Sequence, residues 1–303
     1  MHKHFSTIIL LSAFLLGCAN NNSASMQDNR QMGNLLLAEP APMSQRSQLA
    51  IARYSHILGN TDLEDEQRAQ LLHQRGTLYD SVGLSGLAQY DFNQAISLKP
   101  DLAEAYNSMG VHYTQQMNFI QAYEAFDATL DINPDMEFAF LNRGIALYYG
   151  GRPDLAVRDF GKFYNKNATD PYRALWNYLA SSEIDKQQAM IKLAQQRKDL
   201  DETNWATQLV DLYLDKMTEN KLLTALISGV TSQQQLTDRL CEAYFYLGKY
   251  HSARGNTGIA SNYFKLALST NVFEYVEHRY ARLELNLLRD EVNRAKTDKI
   301  QTQ

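Results

Sequence analysis

Residues 103–136 read AEAYNSMGVHYTQQMNFIQAYEAFDATLDINPDM, and residues 137–170 read EFAFLNRGIALYYGGRPDLAVRDFGKFYNKNATD. Laid one over the other, Gly110 falls on Gly144, Ala122 on Ala156, Phe126 on Phe160 and Tyr106 on Phe140. The register extends backwards through residues 69–102, where Leu72, Gly76, Ala88 and Phe92 hold the same places and Pro100 matches Pro134. Several independent positions thus share a period of 34 residues across three units, the signature of a repeat array. Within each unit, apolar residues recur at helical spacing on both sides of a break at Gly83, Met117-Asn118 or Gly150-Gly151. Each unit is therefore a pair of helices. Gly and Ala mark where paired helices approach closely, and Phe92, Phe126 and Phe160 are expected to fill space between units. Pro100 and Pro134 end the second helix, because Pro lacks the N–H that a helix interior needs.

Large-apolar, Gly, Ala, Phe and Pro at these offsets resemble the tetratricopeptide repeat. The resemblance implies an all-α solenoid of helical hairpins, with repeats at 69–102, 103–136, 137–170 and again at 241–274, where Tyr244, Gly248, Ala260, Phe264 and Ala267 recur. Between them, 171–240 lacks the Gly/Ala/Phe register yet keeps helical spacing, and reads as two degenerate pairs. Flanking helices are expected at 45–60 and 275–289, with a disordered tail at 290–303. Thr61-Asp62-Leu63-Glu64 reads as a capping box opening the first repeat helix.

Residues 1–17 read as a secretory leader, too short in its apolar run to span a bilayer. It ends in Leu15-Leu16-Gly17-Cys18, which resembles the lipobox of bacterial lipoproteins. That resemblance implies cleavage before Cys18 and lipidation of its thiol, and Ala19 in place of Asp implies sorting to the outer membrane, facing the periplasm. Residues 19–44 have no helical or strand period and read as a flexible tether with a reach of roughly 28 Å.

In solenoids of this kind the first helix of each unit lines a concave groove. The groove offsets fall on Gln70, His73, Thr77 and Asp80; on Glu104, Asn107, Val111 and Thr114; on Phe138, Leu141, Ile145 and Tyr148; and on Glu242, Phe245, Lys249 and Ser252. The candidate partner-binding residues are His73, Thr77, Asn107, Val111, Phe138, Leu141, Ile145, Tyr148, Phe245 and Lys249. The paired cations that would clamp a terminal carboxylate are missing. The groove instead runs from polar-uncharged to apolar-aromatic, suiting an extended or helical protein segment.

Composition narrows the function classes. The chain has 303 residues, 45% of them hydrophobic, and 29 Lys+Arg against 34 Asp+Glu give a net charge of −5. A sizeable core is possible, and a grip on nucleic acid phosphates is not expected. Losing the leader removes Lys3 and makes the balance slightly more acidic. Two cysteines exclude a disulfide framework, and Cys241 sits in an apolar helix start as a core residue. His-Glu-x-x-His, Gly-x-Ser-x-Gly, Cys-x-x-Cys and phosphate-cradling loops are all missing, so no catalytic site, cofactor or metal is expected. Glu277-His278-Arg279 is the densest polar cluster and reads as a solvated or interface face.

Several runs narrow the resemblance: Arg75-Gly76-Thr77-Leu78-Tyr79-Asp80-Ser81, Ala122-Tyr123-Glu124-Ala125-Phe126-Asp127, Leu141-Asn142-Arg143-Gly144-Ile145-Ala146-Leu147-Tyr148-Tyr149-Gly150-Gly151-Arg152 and Val276-Glu277-His278-Arg279-Tyr280-Ala281. Together with the lipobox, they are similar to tetratricopeptide-repeat lipoproteins of the bacterial outer membrane. That resemblance implies a homodimeric adaptor without catalytic activity. It implies protein partners: a tail-specific periplasmic protease, a peptidoglycan endopeptidase and other wall hydrolases. It implies no nucleic acid, and membrane contact through the lipid alone. The dimer is expected to use Gln45–Leu58 and the C-terminal helices.

Overall fold

The computed structural model describes residues 36–301, so the leader and Cys18 lie outside the described residues. Fourteen helices and no strand occur among them. The first, α1 (Gln45–Asn60), is followed by hairpins α2/α3 (Asp65–Ser81, Ser85–Leu98), α4/α5 (Ala103–Gln115, Phe119–Ile132) and α6/α7 (Glu137–Tyr149, Pro153–Lys166). Next come α8/α9 (Pro171–Ser182, Lys186–Gln196), the short pair α10/α11 (Thr207–Tyr213, Glu219–Ala225) and α12/α13 (Gln233–Ser252, Thr257–Ser269). The last is α14 (Val276–Gln301). The chain is an all-α tetratricopeptide-type solenoid.

The repeat glycines have a measurable cause. A Cβ built on Gly76, Gly110, Gly144 or Gly248 would stand 2.6, 2.6, 2.7 or 2.5 Å from Cε1 of Phe92, Phe126, Phe160 or Phe264. Each Phe ring edge therefore lies on the backbone of its own unit's first helix, where only a missing side chain leaves room. The same rings also reach the next unit: Phe92 packs on Met109 and meets His112 at 5.7 Å. The turns of α2/α3, α4/α5, α6/α7 and α12/α13 each put one residue at positive φ, namely Gly83, Met117 (58°, without glycine's freedom), Gly151 and Gly255.

In the fourth pair the bulk is exchanged. Tyr178 stands at the glycine's register position and Ala194 at the phenylalanine's, and the Tyr178 ring packs edge-on against Tyr213 of α10 at 5.6 Å. Trp176, buried on α8, joins the third repeat to the last, with ring centroids 5.6 Å from Phe160 and 6.0 Å from Phe245.

Three sequence expectations change. The capping box does not form, because Thr61 closes α1 by donating its N–H to Ile57 O, and α2 starts after Glu64 without a side-chain cap. The Arg68 guanidinium reaches back to Leu58 O at 2.9 Å, tying the two helices there. Helical backbone continues to Gln301, so among the described residues 290–301 are helix rather than a disordered tail. The last part of the tether is docked rather than loose: Ala41 N–H donates to Thr270 O at 2.7 Å, and Thr237 Oγ1 donates to Glu39 O at 3.1 Å. Pro40 and Pro42 have no N–H, so Ala41 offers the one backbone donor of that tripeptide, and it is satisfied.

The strap joins the array's two ends. A Cβ at Gly83, in the α2–α3 turn, would sit 2.9 Å from the Phe273 ring in the α13–α14 loop. The α2–α3 turn thus neighbours the α13–α14 loop, and α14 packs on α12, α13 and α4.

Candidate protein-binding groove

The C-terminal helix occupies half of the groove. Tyr280, Leu283, Leu285 and Leu288 of α14 are buried, and Tyr280 stacks on Tyr149 at 5.5 Å. Tyr149 Oη donates to Glu284 Oε1 at 2.7 Å. Lys249 Nζ donates to the same oxygen at 2.5 Å and to Tyr148 Oη at 2.8 Å. Burial alone would push Lys249 down, but Glu284 and Tyr148 outweigh it and hold the ammonium charged, above its ordinary value.

Five of the candidate residues are buried. Val111, Leu141, Ile145 and Phe245 are buried core, and Lys249 is buried in its ion pair. Phe245 is covered because Trp176 and Phe264 pack against its ring at 6.0 Å each. Thr114 is also buried, and its hydroxyl bonds Gly110 O at 2.8 Å. Tyr148 is half-buried at the edge of a cavity of about 350 Å³ that it shares with Tyr178, Tyr213, Lys249 and Arg254.

The other half of the groove stays open along α2, α4 and α6. Thr77 is exposed, with its hydroxyl bonded to His73 O at 3.0 Å. His73 is half-buried, its Nε2 is 3.4 Å from Ser108 Oγ, and burial lowers its pKa so that it stays neutral at pH 7. Asn107 Oδ1 accepts from Asn142 Nδ2 at 3.1 Å, a bond linking neighbouring repeats across the groove floor. Phe138 is 57% exposed, with its ring 5.7 Å from Phe163. Polar groups and one free aromatic face on parallel helices can take side chains of a bound segment without any chemistry of their own.

Sequence reasoning missed an ionic pair that repeats at twice the period. Arg75 Nε and Nη2 grip Asp91 at 2.7 and 2.8 Å, and Arg143 grips Asp159 at 2.7 and 2.9 Å. In the unit between them, Met109 and Ala125 hold those places and are buried. The signal was available as an Arg just before Gly76 and Gly144, with an Asp just before Phe92 and Phe160.

Glu277 and His278 are not a solvated face. Both are 7% exposed. His278 Nε2 lies 3.1 Å from Leu268 O, and its ring is edge-on to Phe273. Burial pushes the Glu277 carboxyl up, and burial with repulsion from Glu277 raises Glu242, whose Oε2 accepts from Trp205 Nε1 at 2.9 Å. Cys241 is a buried free thiol that burial pushes up, away from reactivity. Among the described residues, no group of three or more His, Cys, Asp or Glu is placed to hold a metal, and no helix is long and apolar enough to cross a membrane.

No protein-family model matches the chain. Among solved structures, a tetratricopeptide repeat protein from Parabacteroides merdae is 21% identical with a TM-score of 0.47, covering 80% of this chain and 78% of that one. Yeast Tom70 is 16% identical with a TM-score of 0.34; 85% of this chain matches 62% of that longer one, less than two thirds of its length. The fold assignment rests on the chain's own hairpin register.

Proposed function

We propose that the chain is an envelope adaptor that binds other proteins along the open half of its groove and performs no chemistry itself. The observation that carries this reading is the row on α2, α4 and α6 in which Thr77 and Phe138 are exposed and His73 and Asn107 half-buried, while α14 packs on α4, α12 and α13. The quoted runs resemble the outer-membrane lipoprotein NlpI. On that resemblance the partners are peptidoglycan hydrolases, notably an endopeptidase, and a tail-specific periplasmic protease. Bringing both onto one surface raises their effective concentration, so hydrolase degradation speeds up and cell-wall synthesis and division are regulated.

The same reading places Cys18 as the lipid anchor in the outer membrane and makes the chain a homodimer. Support for a dimer is the uncovered face of α1, which has no buried residue and leaves Leu49 73% exposed. The first half of α14 is already covered by its own chain, so α1 is the better candidate surface. The test is proteolysis of a purified endopeptidase by its protease with increasing adaptor. Acceleration that is lost in Phe138→Asp supports the reading, and rates independent of adaptor overturn it. The competing role, a structural subunit of another envelope complex, would show as stoichiometric co-purification with membrane proteins and no effect on proteolysis.

A further inference from the structure

The third repeat carries a local charge opposite to that of the whole chain. A cleft of about 360 Å³ lies between α5 and α7, lined by Tyr123, Leu147 and Leu155 together with Arg143, Arg152, Arg158, Lys162, Asp127 and Asp159. Its two carboxylates are both taken by Arg143, Asp127 at 2.8 Å and Asp159 by the paired grip. Arg152, Arg158 and Lys162 have no carboxylate partner among the described residues. Arg152 rests over the Tyr123 ring at 5.4 Å and Lys162 over the Phe140 ring at 4.7 Å, aromatic faces rather than anions.

Helical geometry aligns these cations. Arg158, Lys162 and Lys166 follow one another at one-turn spacing, and all are exposed, while Ala156, Asp159, Phe160 and Phe163 turn inward. The chain's net charge is −5, yet this cleft holds two more cations than carboxylates. An acidic surface with one basic, aromatic-walled cleft is complementary to a short acidic segment that also brings an apolar side chain.

We propose that this cleft is a second docking site, distinct from the groove, for an acidic segment of a protein partner. Carboxylates one helical turn apart would meet Arg158 and Lys162, and an apolar side chain between them would enter the space beside Tyr123, Leu147 and Leu155. The walls argue for a peptide over a bilayer, since lipid headgroups meet a broad basic face rather than a concave site with an apolar floor. Two proteins could then occupy the groove and the cleft at once.

The test uses the full chain and a fluorescent helical peptide with Glu at one-turn spacing around Leu, read by anisotropy. Saturable binding that weakens about tenfold in the Arg158→Glu, Lys162→Glu double variant, weakens with salt, and is unchanged in Phe138→Asp supports the proposal. The exposed position of both residues keeps the variant folded, and its circular dichroism and Tm are compared with the parent. Equal binding of a Gln-for-Glu peptide overturns it. So does retention of affinity in the double variant. Pelleting with phosphatidylglycerol vesicles that the same variant abolishes, without peptide binding, assigns the cleft to a lipid surface and overturns it too. Loss of self-association in that variant by sedimentation, again without peptide binding, overturns it in favour of a second copy.

Discussion

Lys249 of α12 and Glu284 of α14 form a buried ion pair, with Nζ 2.5 Å from Oε1, and this contact seats the C-terminal helix inside the groove. Tyr148 and Tyr149 supply the further hydrogen bonds that let two charges leave water together. Removing one partner strands the other. Glu284→Leu should therefore cost about 3–5 kcal/mol in urea unfolding, and adding Lys249→Met should recover most of that loss. A single variant that costs less than 1 kcal/mol would show that water reaches the pair.

Gly110→Ala puts a methyl group 2.6 Å from Phe126 Cε1, in a hairpin with no slack. The expected loss is about 1–3 kcal/mol. Phe126→Leu alone should also destabilise by leaving a void. The two changes combined should be less harmful than their sum, which a double-mutant cycle measures. Strict additivity would mean that the ring and the backbone do not constrain each other.

Met117 holds φ at 58°, where three sister repeats have glycine. It is 37% exposed. Met117→Gly should raise stability by about 0.5–1 kcal/mol, because relief of the left-handed strain exceeds glycine's added chain entropy. A fall in Tm would point to packing by the Met side chain that outweighs the strain.

Glu242 and Glu277 are held neutral more readily in the fold than in the unfolded chain, chiefly through burial. Raised folded values mean that the unfolded chain binds fewer protons between roughly pH 4 and pH 8, so stability falls as pH rises through that window. Glu242→Gln removes one ionisable group and most of the mutual repulsion. The variant should gain on the order of 1–2 kcal/mol at pH 8 and almost nothing at pH 5, as read from Tm against pH. A gain of equal size at both pH values would mean that packing, not ionisation, is at work.

The period made the fold legible because the contact that enforces it is local: Gly110 and Phe126 belong to one hairpin, and each repeat restates the rule. The groove was less legible. The amphipathic pattern after Tyr275 shows that α14 needs a cover, but nothing in it says that the cover is α4, α12 and α13 of the same chain. Ile145 and Phe245 sit at groove offsets in the register, yet both are buried, Phe245 beneath Trp176 and Phe264. Lys249 looked like a free cation because its partner, Glu284, is 35 residues away. The Arg75–Asp91 and Arg143–Asp159 pairs were legible only as a shared spacing, because their bidentate geometry forms once the hairpin has closed.

The strap across Thr237 and Thr270 also decides how the molecule takes a mechanical load. Tension arriving from residues before Leu37 meets the α12–α13 hairpin first, through two hydrogen bonds at Glu39 and Ala41. Those bonds can break without unfolding any helix, and α1 with its N-cap Ser44 lies beyond them. Peeling the strap would free residues 37–43, with a contour of at most roughly 23 Å, and leave Ser44 capping α1. A pull on Leu37 is thus spent on slack before it reaches α1.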